Sequence, residues 1–144
     1  SVTLRQAEDL GWVAGFTGIP YADKGRTRAG ADCWGFCRIV YREHLGIELP
    51  SYDEHYLGSA ERKEIDAIVA REAKSPLWMP VVAPQVLDII MFRRGRYDAH
   101  AAMWLKPGLM LHMRENDCSK PERFDVPEWQ SRVTGMYRWR GGAA

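Results

Sequence analysis

Apolar residues along the first half of the chain recur at helical spacing, and along the last third they gather into short strand-like runs. In "TLRQAEDLGWVAGF" (3–16) spaced apolar positions sit among helix-forming residues, with Gly15 and Gly18 ending the segment. "TGIPYADKGRTRAGA" (17–31) reads as loop by its Gly, Pro and Asp content. In "GADCWGFCRIVYREHLGIELP" (30–50), Cys33, Phe36, Cys37, Val40 and Tyr41 fall on one helical face, with Asp32 as N-cap. Gly46 and Pro50 stop that helix. "SAERKEIDAIVAREA" (59–73) predicts a further amphipathic helix capped by Ser59.

Beyond Pro84 the character changes. "VLDIIMFRR" (86–94), "HAAMWL" (100–105) and "LMLHMR" (109–114) predict short strands, and "RVTGMYRW" (132–139) a last one. There is no internal repeat or linker. Helices first and strands after, joined by turn-length connections, predict one α+β domain over 1–144 with helices packed on an antiparallel sheet.

The chain's 144 residues suffice for a core without metals or disulfides. Its net charge of +1 argues against a nucleic-acid binder that works by neutralising many phosphates. The basic clusters "KGRTR" (24–28) and "RRGR" (93–96) read as solvated loops. No apolar run is long enough to span a bilayer, so no membrane partner is predicted. The first residues lack a basic segment followed by an apolar core, which predicts a soluble chain made in the cytoplasm without a signal peptide. Three cysteines, Cys33, Cys37 and Cys118, make a poor disulfide framework and suit a reducing compartment or a reactive thiol.

Cys33 stands at the helix start, where unpaired N–H groups and the helix dipole favour the thiolate. Cys37, a turn deeper on the apolar face, reads as a small buried hydrophobe. A cysteine nucleophile needs a base, usually histidine, and the base needs an orienting partner. His44 lies about three turns along the helix from Cys33, too far to serve, and His55 sits in a polar loop. His100 and His112 remain, on strands joined by "KPG" (106–108). A three-residue loop ending in Gly108 pairs 103 with 111 and makes the two histidines diagonal neighbours on one face, roughly 7–8 Å apart at the backbone. A two-residue loop would place them on opposite faces. Zinc on Cys33, His100 and His112 is not favoured, because structural zinc sites show paired, closely spaced ligands; no metal or other cofactor is predicted.

Six segments in order now resemble the NlpC-type (new lipoprotein C) cell-wall cysteine peptidases, a papain-like α+β group. They are "GIPY" (18–21), "DCWGF" (32–36), "GIELP" (46–50), "LDIIMF" (87–92), "HAAMW" (100–104) and "LHM" (111–113). The resemblance implies Cys33 as nucleophile, His100 as base and His112 as the orienting third group. It further implies that the Tyr21 hydroxyl helps the Cys33 N–H stabilise an oxyanion. Asp32 and Trp34 border the site, Asp32 chiefly as a helix cap. Three positions depart from the family pattern: Trp34 where many members have Ser, Leu87 where Gly usually precedes Asp88, and Asp98 two residues before His100.

The implied substrate is the peptidoglycan stem peptide, typically at the bond from D-glutamate to diaminopimelate. The compact form of the match points to the branch found in phage tails and phage-like particles such as gene transfer agents. There the implied partners are hub proteins of the tail tip or baseplate, and the site of action is the cell wall. Two alternatives stay open: a tail-tip assembly component with a vestigial site, and an acyl- or amide-processing enzyme of the same clan.

Overall fold

The structure, a computed structural model, describes residues 10–51, 77–94 and 97–141. The predicted helix over 59–73, His55 and the first residues of the 3–16 segment lie outside them. The described part of that first segment is a 3₁₀ helix, Gly11–Phe16, rather than an α-helix.

The segment expected to be loop carries a minimal hairpin, β1 (Arg26–Thr27) with β2 (Gly30–Ala31). It leads directly into α1 (Cys33–Val40), which continues as a π-helical turn, Tyr41–Leu45, and ends at Gly46 with φ 72°. The Asp32 carboxylate accepts from the Gly35 N–H at 2.7 Å and caps the helix as expected. Gly35 is fixed by space: a Cβ there would come within 2.1 Å of the Gly25 carbonyl oxygen, so the first turn of α1 packs on the loop before β1 only with glycine.

Six strands then form one antiparallel sheet in the order β3-β8-β4-β5-β6-β7. They are β3 (Trp78–Pro80), β4 (Ile89–Arg94), β5 (Tyr97–Lys106), β6 (Leu109–Met113), β7 (Ser119–Arg123) and β8 (Val133–Trp139). Helices packed on an antiparallel sheet is the α+β class predicted. A short helix, α2 (Pro127–Gln130), precedes β8. The pattern did not announce β3, β7 or α2. β7 reads "SKPER" and lies at the sheet edge, where proline and charge are tolerated because one side of the strand needs no partner.

Strand alternation divides the sheet into two faces. Ala101, Met103, Leu105, Leu111 and Met113 join Phe36, Cys37, Ile39 and Val40 of α1 in the main core. Ile90, Phe92, Ala102 and Met110 form a second cluster with Phe124 and with Trp129 of α2.

Leu87, just ahead of β4, has φ 73°, a left-handed conformation that suits glycine. Its side chain is nevertheless fully buried in the main core, and its carbonyl accepts from the Tyr41 hydroxyl. Backbone strain of about 1–2 kcal/mol is thus offset by burial of a leucine, whose removal from a core typically costs about 2–5 kcal/mol. Burial wins. Leu87→Gly is therefore expected to lower stability by about 1–3 kcal/mol, read as a fall in the denaturant midpoint; an unchanged or raised midpoint would contradict this balance.

Candidate active site

β5 and β6 meet in a turn whose register decides the site. Lys106 pairs with Leu109, so the loop is the two residues Pro107 and Gly108, with Gly108 at φ 79°. A two-residue loop alone would send the histidines to opposite faces. A β-bulge between Trp104 and Lys106 inserts one residue, and the pairing returns to Met103 with Leu111. The expected register is reached by a different turn.

Both imidazoles are buried, and His100 Nε2 lies 2.9 Å from His112 Nδ1. His112 Nε2 lies 2.9 Å from Glu122 Oε1, across the β6–β7 pairing. Trp129 closes this chain: its ring packs 5.5 Å from His100 and 5.3 Å from His112, and its Nε1 donates to Glu122 Oε2 at 3.1 Å. Arg114 Nη1 reaches the same carboxylate oxygen at 3.1 Å.

Electrostatics fixes the protons along this chain. Burial pushes His112 below its ordinary value, outweighing the pull of Glu122, so the ring is neutral near pH 7. Burial pushes the Glu122 carboxyl up, but hydrogen bonds from His112 and Trp129, with the charge of Arg114, more than reverse this and hold it ionised. An ionised carboxylate only accepts, so His112 carries its proton on Nε2 and presents the Nδ1 lone pair to His100. The Nε2 of His100 faces that lone pair and so carries a proton. In the neutral ring the basic lone pair is then on Nδ1.

Cys33 is the first residue of α1 and is partly exposed, whereas Cys37 is fully buried and burial raises its thiol well above the ordinary range. Tyr21 ties the Cys33 end of α1 to the histidine strand. Its N–H donates to the Asp117 carbonyl in the loop leaving β6, and it forms a parallel bridge with Ala31, two residues before Cys33. The nucleophile candidate and the exit of β6 thus lie at one end of the sheet. Desolvation, then the charges of Asp23, Glu115, Asp32 and Cys33, raise the Tyr21 hydroxyl to about 12. It remains a neutral donor throughout the physiological range.

A model of the NlpC/P60 family matches residues 18–138. The chain belongs to the NlpC/P60 family. Among curated proteins it is 24% identical over 125 residues to "Murein DD-endopeptidase MepS/Murein LD-carboxypeptidase" of Escherichia coli (strain K12), covering 87% of this chain and 58% of that protein. The NlpC/P60 chain thus spans less than two thirds of that relative. It is 28% identical over 155 aligned positions to "Tail tip assembly protein K" of Escherichia phage lambda, covering 97% of this chain and 75% of that one. Solved structures share its fold. An NlpC/P60 family protein from Bacillus cereus ATCC 10987 superposes with a TM-score of 0.65 at 22% identity, over 93% of this chain and 40% of that one. The NlpC/p60 domain of peptidoglycan hydrolase SagA gives 0.60 at 17%, over 90% and 94%.

Within this NlpC/P60 chain the other sequence candidates take clear places. Asp32 is buried and pairs with Arg26 at 2.7 Å besides capping α1. The Trp34 indole donates to the Pro50 carbonyl at 2.8 Å and meets Trp78 edge-on, in a row that continues to Trp139. The backbone of Asp98 lies on β5, in strand register with Arg93 of β4. His44 stacks on Trp12 at 4.1 Å. Glu122 and Trp129 had no motif to reveal them, since the first sits in a polar edge strand and the second in an unpredicted helix. Among the described residues no group of three His, Cys, Asp or Glu side chains is placed to hold a metal ion.

Proposed function

We propose that this NlpC/P60 chain is a cysteine endopeptidase that cuts peptidoglycan stem peptides at the D-glutamyl–diaminopimelate bond. The observation that carries it is the buried His100–His112–Glu122 chain at the sheet end where Cys33 opens a helix. Cys33 passes its thiol proton to His100 Nδ1, and the thiolate attacks the γ-carbonyl of D-glutamate. The oxyanion is met by the Tyr21 hydroxyl and the Cys33 N–H. The C–N bond breaks as His100 returns the proton to the leaving amine, leaving a thioester. Water, deprotonated by His100, hydrolyses it and frees the thiol. His112 holds the His100 ring and its tautomer and is itself held by Glu122. Asp32 and Trp34 flank Cys33, the first fixing the helix start and the second forming part of the wall beside it.

The same reading places the protein in a phage or phage-like tail, at the tip or baseplate, opening the wall where the particle docks. Its support is the likeness to a lambda protein named for tail tip assembly. That likeness equally favours a second reading, an assembly component of the tail whose peptidase site is vestigial.

Digestion of purified sacculi, with products read by mass spectrometry, tests the first. Peptides with a new free amine at diaminopimelate are expected. Intact stem peptides, together with loss of particle formation when the gene is deleted, would overturn the endopeptidase in favour of the assembly component.

A further inference from the structure

Behind the two histidines stands a carboxylate whose surroundings dictate its chemical form. Glu122 is in register with Met110, and His112 with Lys120, so Glu122 and His112 are diagonal neighbours on one face of the sheet. Lys120 is engaged elsewhere, with Asp117 at 2.8 Å. Three N–H groups converge on the two oxygens of Glu122. His112 Nε2 stands 2.9 Å from Oε1, while Trp129 Nε1 and Arg114 Nη1 each donate to Oε2 at 3.1 Å. Indole and guanidinium nitrogens can only donate. Trp129 is buried, so its N–H without this acceptor would be left unsatisfied.

A side-chain amide in the same place has one oxygen instead of two. Turned toward Trp129 and Arg114, that oxygen meets two donors, one of them charged, and the amide nitrogen faces His112 Nε2. Turned the other way, the amide nitrogen confronts both donors with a third. The first orientation wins by count and by charge. Its consequence runs down the chain. His112 Nε2 must then accept, so the His112 proton moves to Nδ1 and is donated to His100 Nε2, 2.9 Å away. The His100 proton is left on Nδ1, the nitrogen that serves as base. An exchange of oxygen for nitrogen two side chains away removes the lone pair the reaction needs.

We propose that Glu122 is a positioning residue of the reaction that acts through its charge: a carboxylate at this position keeps the His100 lone pair on Nδ1, and an amide of the same shape moves it to Nε2. This rests on the endopeptidase reading and adds a fourth member to its machinery. A residue that only braced His112 would be replaced best by glutamine, its isostere, and worse by the shorter aspartate. Control by charge predicts the reverse order.

The test begins with the unaltered protein, carrying isotopically labelled histidine, by NMR of the ring nitrogens near neutral pH. The His112 proton is expected on Nε2; a proton on Nδ1 would overturn the proposal without any variant. In Glu122→Gln, checked for melting temperature, the same spectrum should show the proton moved to Nδ1. Its stem-peptide cleavage should fall in kcat roughly 100-fold or more, with KM little changed. Glu122→Asp should keep the proton on Nε2 and retain at least roughly tenfold more kcat than Glu122→Gln. A proton that stays on Nε2 in Glu122→Gln, or a smaller loss in Glu122→Gln than in Glu122→Asp, would overturn the proposal and leave the endopeptidase intact. No cleavage by the unaltered protein contradicts the endopeptidase reading itself, and the role of Glu122 in the reaction falls with it.

Discussion

Cys33→Ala is expected to lower stem-peptide cleavage by about four orders of magnitude or more, the usual consequence of removing the nucleophile from a cysteine or serine peptidase site. The fold should not follow. Cys33 is partly exposed at a helix start, so losing one sulfur opens no core cavity, and the Asp32 cap and Arg26 pair remain. The contrast with Cys37 is informative. It is fully buried among Phe36, Ile39 and Val40, so Cys37→Ala should cost stability and spare chemistry. Cleavage rates and denaturant midpoints for the two variants should therefore change in opposite patterns. Equal losses of cleavage in both would contradict the separate roles.

His112→Ala is the second large effect, and it should fall on kcat. The ring is fully buried; it holds His100 Nε2 and is itself held by Glu122. Its removal is expected to lower kcat roughly 100-fold with KM little changed. His112→Asn, which can still accept from His100, should recover part of that loss. A change in KM alone, or no difference between Ala and Asn, would argue against orientation.

The same residue sets a pH dependence of stability. In the unfolded chain histidine titrates near 6.5, and in the fold burial lowers His112 below that. The unfolded state takes the proton first on acidification, so the contribution of His112 is fully present above about pH 6.5. It is lost as pH falls through the lower, folded value. Glu122, held below its ordinary 4.5, acts in the same direction over a more acidic window. Melting temperature should thus decline from pH 7.5 to pH 5, and His112→Asn should flatten the upper part of that decline.

Much of the site was legible because its residues carry local signals. Asp32, Cys33 and Gly35 mark a capped helix start whose glycine is demanded by contact with Gly25. His100 and His112 are set by strand alternation around a short turn. Even there the register came from a bulge at the end of β5, which no alternation rule displays. Leu87 was visible as a departure from the glycine that the resemblance implies, and it takes a positive φ that glycine would adopt without strain. What stayed hidden depends on distant parts of the chain. Glu122 matters because β7 pairs with β6, and nothing in "SKPER" announces a strand. Trp129 matters because a four-residue helix lays it over both histidines. Trp34 looked like bulk beside a nucleophile, yet its indole is engaged with Pro50 and Trp78, contacts set by the chain's return 16 and 44 residues later.

The central claim is that Cys33 and His100 act as a pair. It is tested most directly by the pH dependence of Cys33 alkylation, followed by iodoacetamide labelling and peptide mass spectrometry, in the unaltered protein and in His100→Ala. The account predicts that Cys33 in the unaltered protein is labelled with an apparent pKa well below the ordinary thiol value of about 8.5, and that His100→Ala moves it back toward that value. The same labelling curve in both proteins, close to that of an ordinary thiol, would contradict it.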